Sequence, residues 1–145
     1  MKDLLLNYLT MFMKVLIVFF SPIKGIILLV ALSTITDTFF GIWKAKKLKE
    51  KVTSKKARLG LVPKLISYIA LIMLVFMSDK FIINSLTMMV VDVEYIATKI
   101  ISLAMLSIEA CSINESYYKV KQVSIIGKIK TFIIKAKEVK KGLRE

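Results

Sequence analysis

Apolar residues dominate several stretches of the chain, and the length of each stretch predicts whether it can cross a membrane. Residues 24–43, 61–78 and 95–113 are each close to the length of about 20 residues that spans a hydrocarbon core roughly 30 Å thick. Trp43 closes the first stretch, at an interface position that suits an aromatic ring with one polar edge. The pattern therefore predicts three transmembrane helices.

Residues 4–20 form a fourth apolar stretch, but a polar stripe runs along it. The polar residues recur at helical spacing on one face: Asp3, Asn7, Thr10, Lys14 and Ser21. Such a helix either lies in the membrane interface with its stripe towards water, or spans and turns the stripe towards partner helices. The lysine in its middle favours the interfacial arrangement, and Ser21-Pro22 ends the element. Residues 1–21 are thus predicted as an amphipathic or fourth spanning helix.

Two lysine-rich stretches orient the spans. Residues 44–64 hold nine positive side chains and one negative, and the chain from Ser116 onward holds nine positive and two negative. The positive-inside rule places both stretches, the loop 44–60 and the tail, on the cytoplasmic side. Two predicted spans separate them, which is the even number that this topology requires.

Residues 79–94 carry a small negative balance and are predicted as the outer loop. Their apolar centre is too short to span, so it forms either an outer interfacial helix or an extension of the third span.

The tail, residues 114–145, is predicted to form a basic amphipathic helix. Its apolar positions alternate at spacings of four and three: Ile125, Ile129, Phe132, Ala136, Val139 and Leu143. Lysines fill the opposite side, which suits the anionic lipid of a cytoplasmic leaflet. We expect lysines of both basic stretches to contact anionic lipid: Lys44, Lys46, Lys47, Lys49, Lys128, Lys130, Lys135 and Lys137.

Composition agrees with this topology. The 145 residues are 57% hydrophobic with a mean hydropathy of +0.70, yet the net charge is +13. A soluble domain of this size has too much surface to bury that apolar content. The charge would also suit nucleic acid. It is segregated from the apolar runs, however, and no readout motif accompanies it, so we expect no specific nucleic-acid partner. The sequence predicts an all-α integral membrane protein with a single domain over 1–145.

Few residues of the chain could carry catalysis. The sequence has no histidine and one cysteine, Cys111, and it lacks the glycine-rich phosphate-binding loops and the GxSxG motif. An intramembrane protease would need two converging aspartates, whereas Asp37 and Asp79 are predicted near opposite membrane faces. We therefore expect no enzyme and no catalytic, cofactor-binding or metal-binding residues.

Two acidic residues fall inside predicted spans. A charge at bilayer depth costs about 2.5–3.5 kcal/mol, so Asp37 and Glu109 are expected to face other helices or water. Each belongs to a stripe of small and polar residues, which favours close helix association in lipid. The residues predicted for a helix interface or a pore are Ser33, Thr34, Asp37, Gly41, Ser102 and Glu109. Alternatively, Asp37 lies near the cytoplasmic end and reaches Lys44 or the lipid headgroups.

An ordered set of short motifs resembles the phage-lysis and toxin-secretion holins. Asp37-Thr-Phe-Phe-Gly41 ends the first span and is followed by the small residue and lysines of 45–49. Further matches are Thr53-Ser54-Lys55, Gly60, Lys64 and Asp79, and then Glu109, Ser112, Ile113 and Glu115 within "EACSINES". The chain departs from the family pattern at Ser116, which replaces an asparagine, and at Ala57, which replaces a frequent glycine.

The resemblance implies a protein without catalytic activity that accumulates in the bacterial inner membrane as a multi-pass protein with a cytoplasmic C-terminus. Such a protein forms homo-oligomeric lesions at a programmed time and releases an endolysin, its functional partner, to the cell wall. The other hypothesis is a membrane-anchored adaptor or assembly subunit that docks a soluble partner through its basic loop and tail.

Overall fold

The computed structural model of the chain describes residues 2–87 and 92–142, and it is helical almost throughout. The six α-helices of these residues are α1 (Lys2–Phe19), α2 (Lys24–Lys47), α3 (Ser54–Ser78), α4 (Asn84–Thr87), α5 (Ile96–Lys121) and α6 (Ile125–Gly142). A 3₁₀ turn, Ser21–Ile23, precedes α2, and a π-helical turn, Asp79–Ile83, follows α3. Because the described residues contain no strand, the all-α prediction is confirmed.

Three helical segments are long and apolar enough to cross a membrane: Ser21–Lys47, Ala57–Thr87 and Ile96–Lys121. They overlap the predicted spans 24–43, 61–78 and 95–113, but the second segment continues as helix through residues 79–87 of the predicted outer loop. Only 11%, 11% and 22% of the residues in their most apolar windows are buried within the chain. Their large aliphatic and aromatic side chains therefore remain mostly exposed, as is typical of helices that contact lipid. The apolar segment of α1, Leu4–Phe19, is shorter.

The basic stretch predicted as a loop over 44–60 is mostly helical. Within it, α2 continues to Lys47 and α3 already begins at Ser54, so only residues 48–53 lie outside helices. Lysine and alanine are good helix formers, and they extend both helices beyond the apolar runs. The C-terminus of α2 is capped by a turn in which Lys49 has a left-handed φ of 59° and the Glu50 N–H donates to the Ala45 carbonyl at 2.9 Å.

The chain divides into two compact units, and α2, α3 and α5 each contribute to both. One unit comprises Met1–Leu32 with Ile66–Ala104, and the other comprises Ser33–Leu65 with Met105–Glu145. We call them the first and the second unit.

An aromatic cluster forms the core of the first unit. Phe76 is fully buried, and its ring lies 5.7 Å from that of Phe19, 5.8 Å from that of Phe20 and 5.0 Å from that of Tyr95, between centroids. The Lys80 ammonium lies 4.1 Å from the centroid of the Phe19 ring, a cation–π contact. These contacts fix the end of α1 to the end of α3.

In the second unit a polar corner joins α5 to α6. The Asn114 Oδ1 accepts hydrogen bonds from the Ile125 N–H at 2.8 Å and from the Ser124 hydroxyl at 3.0 Å. The Ser124 Oγ in turn accepts from the Gly127 N–H at 3.1 Å, which makes Ser124 the N-cap of α6. The first N–H groups of α6 are thus satisfied by one side chain from α5 and one from the turn.

Replacing Asn114 with alanine is expected to loosen the first turn of α6. The change removes the acceptor of the Ile125 N–H, which costs about 1–2 kcal/mol locally. Hydrogen–deuterium exchange of the α6 amides in detergent measures the effect, and we expect faster exchange by about tenfold, as about 1.4 kcal/mol implies. Cys111→Ala, at an exposed position of α5, the helix that carries Asn114, is the control. Equal exchange in the two variants would contradict the capping role.

Candidate functional site

Three charged side chains of the second unit, one each from α2, α3 and α5, form a cluster. The Lys64 ammonium of α3 donates to the Glu109 Oε2 of α5 at 2.7 Å and to the Asp37 Oδ2 of α2 at 3.1 Å. We refer to Asp37, Lys64 and Glu109 as the charge cluster. Both contacts are charge-assisted hydrogen bonds, which are stronger than those between neutral groups.

The charge cluster is largely removed from solvent. The side chain of Glu109 is 0% exposed, that of Asp37 15% and that of Lys64 29%. Of the two Glu109 oxygens, Oε2 has Lys64 as its partner, whereas Oε1 is buried and has no hydrogen-bond partner among the described residues. A buried carboxylate oxygen without a donor is unusual and costly.

The cluster holds two carboxyl groups and one ammonium group. When all three are ionised its net charge is −1, and lysine can fully compensate only one carboxylate. Burial of an uncompensated charge is expensive, both in a protein interior and at membrane depth. Within the cluster the acidic groups therefore outnumber the basic one, and further compensation comes from charged groups beside it, among them Lys44 and Lys51.

The structure assigns Asp37 a partner that the sequence did not predict. Sequence reasoning left open whether Asp37 meets a neighbouring helix or reaches Lys44 and the headgroups. Its partner is Lys64 of the same chain. Lys64 had been counted with the basic loop, but it lies within α3, one residue after Pro63. The sequence did contain a signal for this contact. Lys64 is a cation inside a predicted span, and the acids inside the other two predicted spans need a cationic partner.

A cavity of about 440 Å³ adjoins the cluster in the second unit. Asp37 and Lys64 line it together with the hydroxyl residues Ser112 and Ser116 of α5. Its wall also includes glycines of α2 and α3, and a Cβ atom added at either position would meet no other atom within 4 Å: Gly41 and Gly60. Glycines often allow two helices to pack closely in lipid. In this structure Gly41 and Gly60 instead border open space.

Polar residues along α5 are turned inwards. Thr98, Ser102, Glu109 and Ser116 recur at helical spacing, and all four are buried. On α2 the predicted interface residue Thr34 is also buried, whereas Ser33 and Gly41 are half-buried. Of the six predicted interface or pore residues, the structure joins two, Asp37 and Glu109, through one lysine.

Asp79 in the first unit has a role that sequence reasoning missed. Its fully buried carboxylate accepts from the Ala97 N–H at 3.3 Å, the Thr98 N–H at 2.6 Å and the Thr98 hydroxyl at 2.5 Å. Asp79 thus caps the N-terminus of α5 from the end of α3, where the helix dipole also favours a negative charge.

Most of the lysines predicted to contact lipid are exposed. Those with exposed side chains are Lys46, Lys47, Lys49, Lys128, Lys130 and Lys135. Lys44 is half-buried and lines the cavity, and the Lys128 ammonium lies 5.7 Å from the centroid of the Tyr117 ring. The side chains of Lys137, Val139 and Leu143 lie outside the described residues.

Across residues 2–87 and 92–142, no group of three or more histidine, cysteine, aspartate or glutamate side chains could hold a metal ion. Comparisons of the chain with models of protein families, with characterised proteins and with solved structures found no match.

Proposed function

We propose that this protein is a holin: it accumulates in the bacterial inner membrane, forms homo-oligomeric lesions and releases an endolysin. The observation that carries the proposal is the inverted packing of its long helices. Large apolar side chains lie outside, whereas the buried side chains among the described residues comprise five apolar ones and six polar or charged ones: Thr34, Asp79, Thr98, Ser102, Glu109 and Ser116. This arrangement suits helices that contact lipid on one side and can line water on the other.

In the proposed arrangement α2, α3 and α5 cross the membrane, with both basic segments in the cytoplasm. The exposed lysines then lie beside the headgroups. The side chains of α1 from Leu4 to Val15 are exposed, Lys14 included, and in this proposal α1 lies in the interface with Lys14 at the headgroups. The α6 helix, with exposed Ile129 and Phe132, lies on the cytoplasmic leaflet.

Association of copies is supported by the open glycine positions. Gly41 and Gly60 border open space, so a helix of a second copy can pack closely against them. In lipid, van der Waals contacts between closely packed helices drive such association, because the hydrophobic effect does not act there. Because such association grows with surface concentration, it creates a threshold and therefore a delay. Rotation of α5 in the assembled ring would turn its hydroxyl and carboxyl groups towards a common, water-filled lumen.

The second candidate function, a membrane-anchored adaptor, is favoured by one feature of α6. Exposed apolar residues on this helix, among them Ile126, Phe132 and Ile133, stand beside exposed lysines. An acidic partner with an apolar groove could bind that surface in place of lipid.

Induction of the chain in bacteria, with and without a co-expressed endolysin, tests the holin proposal. We expect growth to continue for a delay and then the membrane potential to collapse abruptly, with lysis only where the endolysin is present. Unaffected growth and potential at high membrane expression would contradict the proposal. The adaptor instead predicts recovery of a soluble partner that is lost when α6 is deleted.

The same assay examines Asp37, a member of the charge cluster. Asp37→Asn is expected to shift the time of lysis because it removes one of two carboxylates that hold Lys64. Asp92→Asn, at an exposed acid outside the described helices, is the matched control and should keep the original timing. If both variants lyse on the original schedule, Asp37 does not govern the delay.

A further inference from the structure

The cavity beside the charge cluster is lined by two further lysines that the cluster does not use. They are Lys44, which is half-buried near the end of α2, and Lys51, which is exposed in the α2–α3 loop. Among the described residues, neither ammonium forms an ion pair with a carboxylate. Glu115 interacts electrostatically with Lys44, but its own ion-pair partner is Lys119, at 2.6 Å. The cavity therefore has two cations whose hydrogen-bond donors are available to a ligand.

Two serines of α5, Ser112 and Ser116, line the same cavity. A serine inside a helix often donates to the carbonyl four residues earlier, as Ser102 does to Thr98 at 2.7 Å. The side chains of Ser112 and Ser116 have no hydrogen bond with any described residue, although Ser116 is only 5% exposed. Both hydroxyls are thus open to the cavity instead of being bonded to their own helix.

The lysine of α2 and the buried serine of α5 lie at the same level of the second unit. The charge cluster joins the two helices, and further along both chains the rings of Trp43 and Tyr117 stack with their centroids 6.0 Å apart. The helices therefore run in the same direction. Lys44 and Ser116 each follow the acid that their helix contributes to the cluster by about two turns, or roughly 10 Å. We call Lys44, Lys51, Ser112 and Ser116 the serine–lysine site.

The charges near the serine–lysine site favour an anion. With Glu109 included, the charged side chains around the whole cavity balance at three positive and three negative. They are unevenly placed, however. Two of the acids are held by Lys64 in the cluster, whereas the lysines of the serine–lysine site have only the exposed Glu50 beside them. Residues 44–64 as a whole hold nine positive side chains and one negative, so the local potential attracts a negative group.

We propose that the serine–lysine site binds the phosphodiester group of an anionic phospholipid headgroup. The oxygens of a phosphodiester accept hydrogen bonds, and the lysine ammoniums and serine hydroxyls supply the donors. A volume of about 440 Å³ is in the range of small-molecule sites. Apolar side chains of α2 and α3, Ile42 and Leu61, complete the wall and suit the apolar part of a lipid next to its phosphate.

The position of the site favours a lipid over a soluble phosphate. Trp43 ends the apolar run of α2, and its ring stacks on Tyr117 of α5 beside the site. Tryptophan and tyrosine are enriched at the level of the headgroups. When α2, α3 and α5 cross a membrane, headgroups are therefore the phosphates nearest to the site. The inference rests on this membrane insertion and not on lysis.

Native mass spectrometry of the full chain in detergent, titrated with phosphatidylglycerol, counts the lipids that the chain retains. We expect one saturable lipid per chain. Phosphatidylcholine, whose headgroup has no net charge, should bind at least about tenfold more weakly. A chain that retains no phosphatidylglycerol, as when a second copy fills the cavity, would overturn the proposal.

Substitutions at the site test its donors. Lys44→Gln combined with Lys51→Gln should lower the affinity at least about tenfold, because two charge-assisted hydrogen bonds are lost. Ser116→Ala should lower it about threefold through the loss of a neutral hydrogen bond. Lys55→Gln combined with Arg58→Gln removes the same charge from exposed positions outside the cavity and should change it less than about threefold. Equal losses in the two double variants would show diffuse attraction and overturn the site.

Gly60→Leu tests the cavity without a change of charge. A Cβ atom at Gly60 meets no atom within 4 Å, and leucine favours helix more than glycine does, so the variant should fold. Its side chain enters the cavity and should lower the affinity about tenfold. Gly25→Leu, also in open space but outside the cavity, is the matched control and should bind as the wild type does. Unchanged binding by Gly60→Leu, with helix content confirmed by circular dichroism, would overturn the proposal.

Inorganic phosphate in large excess distinguishes a soluble anion from a lipid. We expect the bound phosphatidylglycerol to remain, because its glycerol and acyl groups add apolar contacts that free phosphate lacks. Displacement of the lipid would assign the site to a soluble phosphate and overturn the lipid assignment. None of these measurements depends on lysis, so a failure of the holin proposal would leave their outcomes readable.

Discussion

Replacing Lys64 with methionine is expected to lower the free energy of unfolding by about 3 kcal/mol, because removal of one partner strands the other charges in the interior. Methionine keeps much of the length and apolar stem of lysine but cannot compensate Asp37 or Glu109. Because Lys64 is 29% exposed, the effect should be at the lower end of the range for buried pairs. Thermal and denaturant unfolding of the full chain in detergent, followed by circular dichroism, measures it.

Two further variants isolate the charge effect. Lys46→Met, at an exposed position of the basic segment, should change stability by less than about 0.5 kcal/mol. In a Glu109→Gln background, Lys64→Met should cost clearly less than it does in the wild type, because only one carboxylate is then left behind. This non-additivity is the signature of groups in direct contact. Additive losses would show that Lys64 acts independently of Glu109.

Replacing Asp79 with alanine is the second large effect that we expect, again about 3 kcal/mol, from the hydrogen bonds lost at the α5 N-terminus. The carboxylate is the acceptor for two backbone N–H groups and one hydroxyl, and all of these contacts are removed from water. Alanine leaves the Ala97 and Thr98 N–H groups without this acceptor. Hydrogen–deuterium exchange at the start of α5 should accelerate by about a hundredfold, the ratio that about 3 kcal/mol implies.

Two controls separate the backbone hydrogen bonds of Asp79 from its bond with the Thr98 hydroxyl and from the loss of an acidic side chain elsewhere. Thr98→Val removes only the hydroxyl contact and should cost about 1 kcal/mol. Asp92→Asn, at a nearby exposed acid, should leave the exchange of α5 unchanged. If Asp79→Ala destabilised the chain no more than Thr98→Val does, the backbone contacts would not contribute to stability.

The two acidic sites contribute in different ways. Asp79 accepts hydrogen bonds from the N-terminus of a helix, where no cation is needed. Asp37 and Glu109, in contrast, depend on one lysine side chain whose ammonium is partly exposed to the cavity.

The motif resemblance and the structure point to many of the same residues. Several of the matched positions occupy the cluster, its cavity wall or the α5 cap: Asp37, Gly41, Gly60, Lys64, Asp79, Glu109 and Ser112. Asn114, which ties α5 to α6, lies within the quoted "EACSINES" stretch, but it was not recognised from the sequence. The sequence does indicate the helix start that Asn114 supports, because Ser124 is a typical N-cap residue directly before an apolar run.

The sequence by itself determined the helices and the segments that can span a membrane. Both depend on local properties: the 3.6-residue period and the length of each apolar run. It also determined which face of α5 is polar, because residues three or four apart lie on the same side of a helix. The ends of the helices flanking the basic loop were placed less well, since lysine-rich segments favour helix as well as solvent.

Only the tertiary structure decided which charges meet. Lys64 is 27 residues from Asp37 and 45 from Glu109, and no local pattern relates positions on three separate helices. The same holds for Asp79, which caps a helix that begins 17 residues later. Such contacts depend on how helices pack and rotate against each other, which the apolar period alone leaves open. The residues from Ser33 to Lys47 place an acid, Asp37, in a predicted span, and the fold shows that Lys64 of the next helix pairs with it.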